Sequence, residues 1–384
     1  MKTLFGLCGS IGLSVGLFAC TTSDPIGTLI FEDAVREPDA LEDRLEEGAM
    51  ATPRVIAGTE HGHLVLIDAT SGSPLDRLKL PTEGEVMDVA TVADPASPWG
   101  VSHVYALVSP GEEELAQLFA MDWSEGVWGT PERIARFGGE TRIVGTSLGA
   151  LVMQREDGAR WRLARLDKEH VPSTPCPMPQ SVMSVTELGD GTVRVGAIAF
   201  EDDALVRVTA LVSSTTIECV RTPIALARPA SRSVRGVTTL GADVLVDAED
   251  GVIVLTPLDA GSATGPSTTV LTPAGRIEDV VPLTFDRAQG FVAITSEPPS
   301  LVVVELGRGE GGALSVASIS QSMLTGTPRE VGHGFTRIAA MNDAHGALVT
   351  SAGLTTFALN DAVEPVFGET TAFVAPIVAL DGAD

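Results

Sequence analysis

Short apolar runs recur along this chain at a nearly fixed interval, and that period restricts the fold more than any other feature. Five runs end in Asp or Asn: LVLID at Asp68, LFAMD at Asp122, RLARLD at Asp167, VLTPLD at Asp259 and FALN at Asn360. Two similar runs end at Ser213 (VTALVS) and Leu306 (LVVVEL). Successive ends lie 45 to 54 residues apart. A unit of that length holds about four strands, and one such unit cannot bury both of its faces alone. Stacked around a ring, the units cover one another. Asp, Asn and Ser suit the strand end because their side chains cap the turn that follows. Asp157-Gly158, Asp190-Gly191 and Asp250-Gly251 each sit between two apolar runs, a strong hairpin signal. Long amphipathic helical patterns are missing after Pro53. The expected fold class is all-β, a β-propeller of four-stranded blades.

A second ladder counts the blades. The segments 85–92, 142–147, 181–188, 233–240, 276–283, 336–342 and 372–380 read as innermost strands, which makes seven. The last lies near the end of the sequence, while three strands beginning at Arg54 have no fourth. The expected closure joins these N-terminal strands to the C-terminal one in a single blade. It leaves few free edges, which otherwise invite aggregation. The body from 53 to 384 allows about 47 residues per blade at seven blades. Six or eight blades, or a pair of β-sandwiches, are the alternatives.

Ahead of this body stand two segments of different character. Leu4 to Ala19 is apolar or small, too short for a comfortable membrane span and suited to a signal-peptide core. Leu17-Phe18-Ala19-Cys20 resembles the bacterial lipobox, in which cleavage before a cysteine frees it to carry lipid. Residues 1–19 are therefore expected to be a lipoprotein signal peptide and Cys20 the acylated residue. Several acyl chains together make a stable anchor. Thr21 in place of Asp favours the outer membrane. Residues 20–52 read as an acidic tether, with nine Asp or Glu from Asp24 to Glu47 against Arg36 and Arg44, and one short helix over 38–47. The net charge of −26 argues against nucleic acid and against attraction to anionic lipid.

LVLIDATSGSPLD (64–76) resembles a blade of the quinoprotein-type propellers, whose repeat reads A-x-D-x-x-T-G-x-x-x-W. Asp68, Ser71 and Gly72 carry the likeness, and Ala120, Asp122, Gly126 and Trp128 carry it again in FAMDWSEGVW. The resemblance implies a propeller. Lipoproteins of that family include the propeller subunit of the outer-membrane barrel-assembly machinery, which is a scaffold. Aromatic residues make up 4% of the chain, with one Tyr and four Trp. A quinone cofactor and a sugar platform both need stacking rings, so no cofactor is expected.

Several motifs match chemical signatures in part. Gly145-Thr-Ser-Leu-Gly149 matches G-x-S-x-G with Ser147 as nucleophile, but the motif needs a strand, an elbow and a helix. GRGEGG (307–312) matches G-x-G-x-x-G without the helix a dinucleotide fold requires. Both read as turns between strands. His61 and His63 fall on one face of a strand, without the further ligands of a metal site, so no metal is expected. Cys176 and Cys219 are a candidate disulfide in an oxidising compartment, although 43 residues is about one blade and stacked sheets lie about 10 Å apart. Arg142, Arg276 and Arg337 each precede an Ile at the start of an innermost strand, and Arg235 lies on the same face. These four arginines are the candidate contact for an anion or an acidic partner. The competing reading pairs each with an acid such as Glu140 or Glu278.

Together these features point to a lipid-anchored propeller of the bacterial cell envelope that acts as a non-catalytic binding or scaffold protein for another envelope protein. A propeller enzyme of the lactonase or lyase type, with its site at the channel mouth, is the alternative. A small-ligand sensor is a third reading.

Overall fold

A computed structural model describes residues 54–383, apart from 94–100, 112–113, 125–126, 157, 166–173, 227–229, 259–267, 286–287, 310–312, 329–337, 341–344 and 373–376. The strands form seven antiparallel sheets, the blades of a seven-bladed propeller. Blade 1 holds β1 (Arg54–Thr59), β2 (His63–Asp68) and β3 (Pro74–Lys79). Blade 2 holds β4 (Glu85–Ala93), β5 (Val101–Ser109), β6 (Ala116–Ser124), the two-residue β7 (Val127–Trp128) and β8 (Glu132–Phe137). Blade 3 is β9 (Glu140–Thr146), β10 (Gly149–Glu156) and β11 (Gly158–Ala164). Blade 4 is β12 (Pro179–Glu187), β13 (Val193–Glu201), β14 (Ala204–Val212) and β15 (Ile217–Pro223). Blade 5 is β16 (Arg235–Thr239), β17 (Ala242–Glu249), β18 (Val252–Leu258) and β19 (Thr268–Pro273). Blade 6 is β20 (Ile277–Phe285), β21 (Ala288–Ser296), β22 (Pro299–Arg308) and β23 (Leu314–Met323). Blade 7 is β24 (Ile338–Ala340), β25 (His345–Thr350), β26 (Gly353–Leu359) and β27 (Pro365–Thr371). The final strand, β28 (Ile377–Ala383), returns to blade 1 and pairs with β1.

Local chemistry sets these elements. Asp68 Oδ1 accepts the amides of Thr70 and Ser71. Ser213 Oγ accepts those of Thr215 and Thr216, and Asn360 Oδ1 those of Ala362 and Glu364. Each cap turns the chain into the next strand, as the spacing predicts. At the Asp250-Gly251 hairpin both residues have positive φ, 51° and 79°. Such a turn matches the twist of the strands it joins.

The middle strands are buried on both faces, which is why they read as unbroken apolar runs rather than alternating ones. β1 and β2 show this, with Val55, Ile56, Ala57, Leu64 and Ile67 all fully buried. Their side chains divide between two neighbours. Ile56, Leu64 and Leu66 pack with Val86, Val104 and Phe119 of blade 2, while Val55, Val65 and Ile67 pack with Ala347, Val349 and Leu354 of blade 7. The same division holds around the ring. Among the described residues there are seven apolar clusters, and each lies between two adjacent blades. The core is therefore seven junctions rather than one centre.

Closure follows the expected scheme, with three N-terminal strands and one C-terminal strand in one sheet. The closing strand runs over 377–383 instead of 372–380. Its pairing with β1 runs from Arg54↔Ala383 to Thr59↔Ile377. The expected signal peptide, tether and short helix, all within residues 1–52, lie outside the described residues.

Truncation after Thr371 removes β28, exposes the edge of β1 and opens the junctions of blade 1. The truncated chain is expected to aggregate or to lose its single cooperative thermal transition. An unchanged melting curve would contradict closure by β28.

Candidate functional site

The polar side chains of the innermost strands converge on the joints between blades. Asp88 of β4 is buried, and its Oδ1 caps the amide of Val89 at 3.1 Å. Its Oδ2 accepts the amide of Ile143, in the next blade's β9, at 2.9 Å. Asp279 of β20 repeats the arrangement: Oδ1 takes the amide of Val280 at 2.8 Å and Oδ2 that of Ile338 in β24 at 3.0 Å. Between blades 4 and 5, Ser181 Oγ accepts from the Gly236 amide at 3.4 Å. Between blades 1 and 2, Asp381 Oδ2 on the closing strand takes the amide of Thr91 at 2.6 Å and its hydroxyl at 2.8 Å.

Bulges aim three of these groups. The register shifts between Val86 and Asp88, between Pro179 and Ser181, and between Ile277 and Asp279. In each case one extra residue breaks the alternation just before the polar group, and such an insertion re-aims a side chain. Met87, Gln180 and Glu278 are the extra residues. Close approach also needs Gly145: a Cβ there would sit 1.9 Å from the carbonyl oxygen of Thr91 in the preceding blade.

The arginines belong to the same joints. Arg142 and Arg235 each precede the amide that the preceding blade grips. Arg142 donates to the carbonyl of Pro179 in blade 4 at 3.1 Å and to Glu140 at 3.0 Å. Arg235 donates to the carbonyl of Glu278 in blade 6 at 3.2 Å and to the carbonyls of Ser233 and Val234. Arg276 does not share their position. It lies ahead of β20, half exposed, with its Nε 3.1 Å from Glu278 Oε1 on its own strand. The equivalence of Arg276 with Arg142 fails because the residue before Ile is not a structural position once a bulge shifts the strand. Arg337 lies outside the described residues, as does Cys20. In blades 4 and 5 a further pair, Arg207 and Asp243, crosses the joint.

Other motifs resolve into local structure. Ser147 occupies the two-residue turn between β9 and β10, with its amide donated to Glu187. GRGEGG connects the antiparallel neighbours β22 and β23, and the Gly309 amide donates to the Ala313 carbonyl at 2.8 Å. Arg77 donates to Nε2 of His63 at 2.8 Å, and burial, with Arg77 beside it, pushes that imidazole below its ordinary range. His61 is exposed beside Glu60. Among the described residues no group of three or more His, Cys, Asp or Glu could hold a metal ion.

Cys176 and Cys219 form a disulfide with their Cα atoms 6.0 Å apart, within the normal span. Blade spacing alone predicts too long a gap. The chain shortens it because, among the described residues, blade 3 has three regular strands. Its fourth position is held by the Pro-rich segment around Cys176, which touches β11 through the Pro175–Arg160 bridge and the Cys176 amide. Thr174 of the same segment accepts the Cys219 amide at 3.1 Å. The disulfide thus ties the outer rims of blades 3 and 4.

No protein-family profile matches the sequence, and no curated protein matches it. Solved structures do share its fold. A functionally unknown protein from Desulfotomaculum acetoxidans aligns with a TM-score of 0.53 at 11% identity, over 86% of this chain and 99% of that one. A protein from Lactobacillus plantarum aligns at 0.52 and 11%, over 86% and 99%. A quinoprotein alcohol dehydrogenase-like protein from Bacteroides thetaiotaomicron aligns at 0.50 and 7%, over 86% and 78%. At these identities the likeness is one of fold, and it agrees with the propeller resemblance in the sequence.

Burial raises the Asp88 carboxyl to about 8; the amide of Ile143 and nearby Arg142 oppose this, and Asp381 adds to it. The folded chain therefore holds a proton that the unfolded chain releases near 3.8. This contribution to stability is complete below pH 4, declines as the pH rises toward 8 and is flat above it. Asp88→Asn cannot ionise, and it loses one acceptor at a cost independent of pH. The stability advantage of the wild type over Asp88→Asn, read from urea midpoints, is expected to shrink between pH 4 and 8. A constant difference would contradict the buried neutral carboxyl.

Proposed function

We propose that the chain is a lipid-anchored propeller of the bacterial cell envelope that binds another envelope protein and catalyses no reaction. The observation that carries this reading is how the inner-strand polar groups are used. Asp88, Asp279, Asp381, Arg142 and Arg235 all hold one blade to the next. Groups in such roles keep fixed partners and are not presented together to a substrate. What the ring offers instead is a rigid platform with a broad rim, suited to binding.

The apolar run ending at Cys20 supports the anchor, and the acidic residues of 20–52 suit a solvated tether. Arg142, Arg235 and Arg276 each bond to a different group, which speaks against one shared anion site, and Arg337 lies outside the described residues.

Two measurements test the proposal. Intact mass of the envelope-bound form is expected to correspond to a chain starting at Cys20 with acyl chains attached, and Cys20→Ala is expected to wash off the membrane. A mass matching an unmodified chain with another start would refute the anchor. Crosslinking in intact envelopes is expected to recover the same partner repeatedly from wild type and to lose it in Cys20→Ala. Failure to recover any reproducible partner would overturn the binding role.

A further inference from the structure

The outermost strands of the blades are guarded unequally. Each presents a row of backbone donors and acceptors to solvent, and proteins normally blunt such edges with charge, proline or brevity. β3 carries Pro74, Asp76, Arg77 and Lys79. β8 carries Glu132, Arg133 and Arg136. Blade 3 ends on β11, with Arg160 and Arg162 and the Pro175 bridge alongside. β15 carries Glu218, Arg221 and Pro223, and β27 begins at Pro365. β19 has six residues and stops at Pro273.

β23 has none of these guards. It runs for ten residues, Leu-Ser-Val-Ala-Ser-Ile-Ser-Gln-Ser-Met, with no charge and no proline. It is the last strand in the order of its sheet, so among the described residues no strand pairs with its outer edge. Ile319 is 39% and Met323 62% exposed. Gln321, between them on the same face, donates to the Pro273 carbonyl of blade 5. That face therefore looks toward β19, which is also uncharged. The two facing outer strands of blades 5 and 6, β19 and β23, thus carry no charged residue in a protein of net charge −26.

We infer that the outer edge of β23 is a docking edge for an extended segment of a partner protein, which pairs with it as a fifth strand of blade 6. Main-chain hydrogen bonds would supply the attachment, and alternate side chains the specificity. The chemistry of the segment follows from the edge. Its central residues are uncharged, because β23 offers no counter-charge. Every second side chain is apolar, because it lies over Ile319 and Met323. Its flanks are basic, because the field of the whole protein is strongly negative. That field also disfavours a second copy of this chain, which brings the same charge.

This inference rests on the binding role proposed above. Its test uses a ten-residue peptide alternating Val and Thr between pairs of lysines, labelled for fluorescence anisotropy. Saturable binding to the purified protein is expected. Ile319→Lys with Met323→Lys is expected to weaken it at least tenfold with an unchanged melting temperature. Val127→Lys with Val366→Lys makes the same change in charge at other exposed sites and is expected to leave binding intact. The same peptide N-methylated at alternate amides is expected not to bind, which tests strand pairing without altering the protein. Equal affinity in both double variants, or binding of the methylated peptide, would overturn the inference. So would a dimer by sedimentation that the β23 substitutions abolish, since the edge would then serve a second copy. If the envelope partner still crosslinks to the β23 variant, this edge is refuted while the binding role stands.

Discussion

The fold depends on side chains that leave one inner strand and bind the backbone of the next. A blade of four strands is buried on both faces only while it has neighbours. Apolar packing between blades supplies most of the attraction but is not directional. Asp88 and Asp279 add direction. Each carboxyl holds one amide of its own strand and one from the following blade, and so fixes the angle and register at which two sheets meet. A buried backbone amide left without an acceptor costs about 1–3 kcal/mol, so the geometry is strongly selected.

The joints use different groups toward the same end. An Asp on the closing strand serves blades 1 and 2, arginine to carbonyl serves blades 3 and 4 and blades 5 and 6, and Ser181 serves blades 4 and 5. Buried carboxyl and guanidinium groups are costly unless fully bonded. The rim has a different character: its outer strands are charged on most blades, tied by a disulfide between blades 3 and 4, and uncharged on blades 5 and 6.

Much of this was legible in the sequence. Strand ends capped by Asp68, Ser213 and Asn360, the Asp-Gly hairpins and the seven inner strands depend on local pattern, and local pattern survives folding. The closure was legible because three strands at one end lacked a fourth. The joints were not legible. Alternation assigns faces only while the period of two is unbroken, and bulges at Met87, Gln180 and Glu278 break it just before the groups that matter. Hence Arg276 shares an Ile neighbour with Arg142 but not its place, whereas Arg235 precedes a gripped amide as Arg142 does. The signal that could have revealed the joints was Asp inside an apolar run, in EVMDV and RIEDV. Blade spacing could not settle whether Cys176 reaches Cys219, because that spacing assumes that every blade keeps four strands.

The most direct test is hydrogen exchange at single amides. In the native protein the amides of Ile143 and Ile338 should exchange only through global opening, orders of magnitude more slowly than outward-facing amides of β23. In Asp88→Ala the Ile143 amide should lose that protection, while Ile338, held by Asp279, keeps it. Fast exchange of both amides in the wild type would contradict the account, as would unchanged protection of Ile143 in Asp88→Ala.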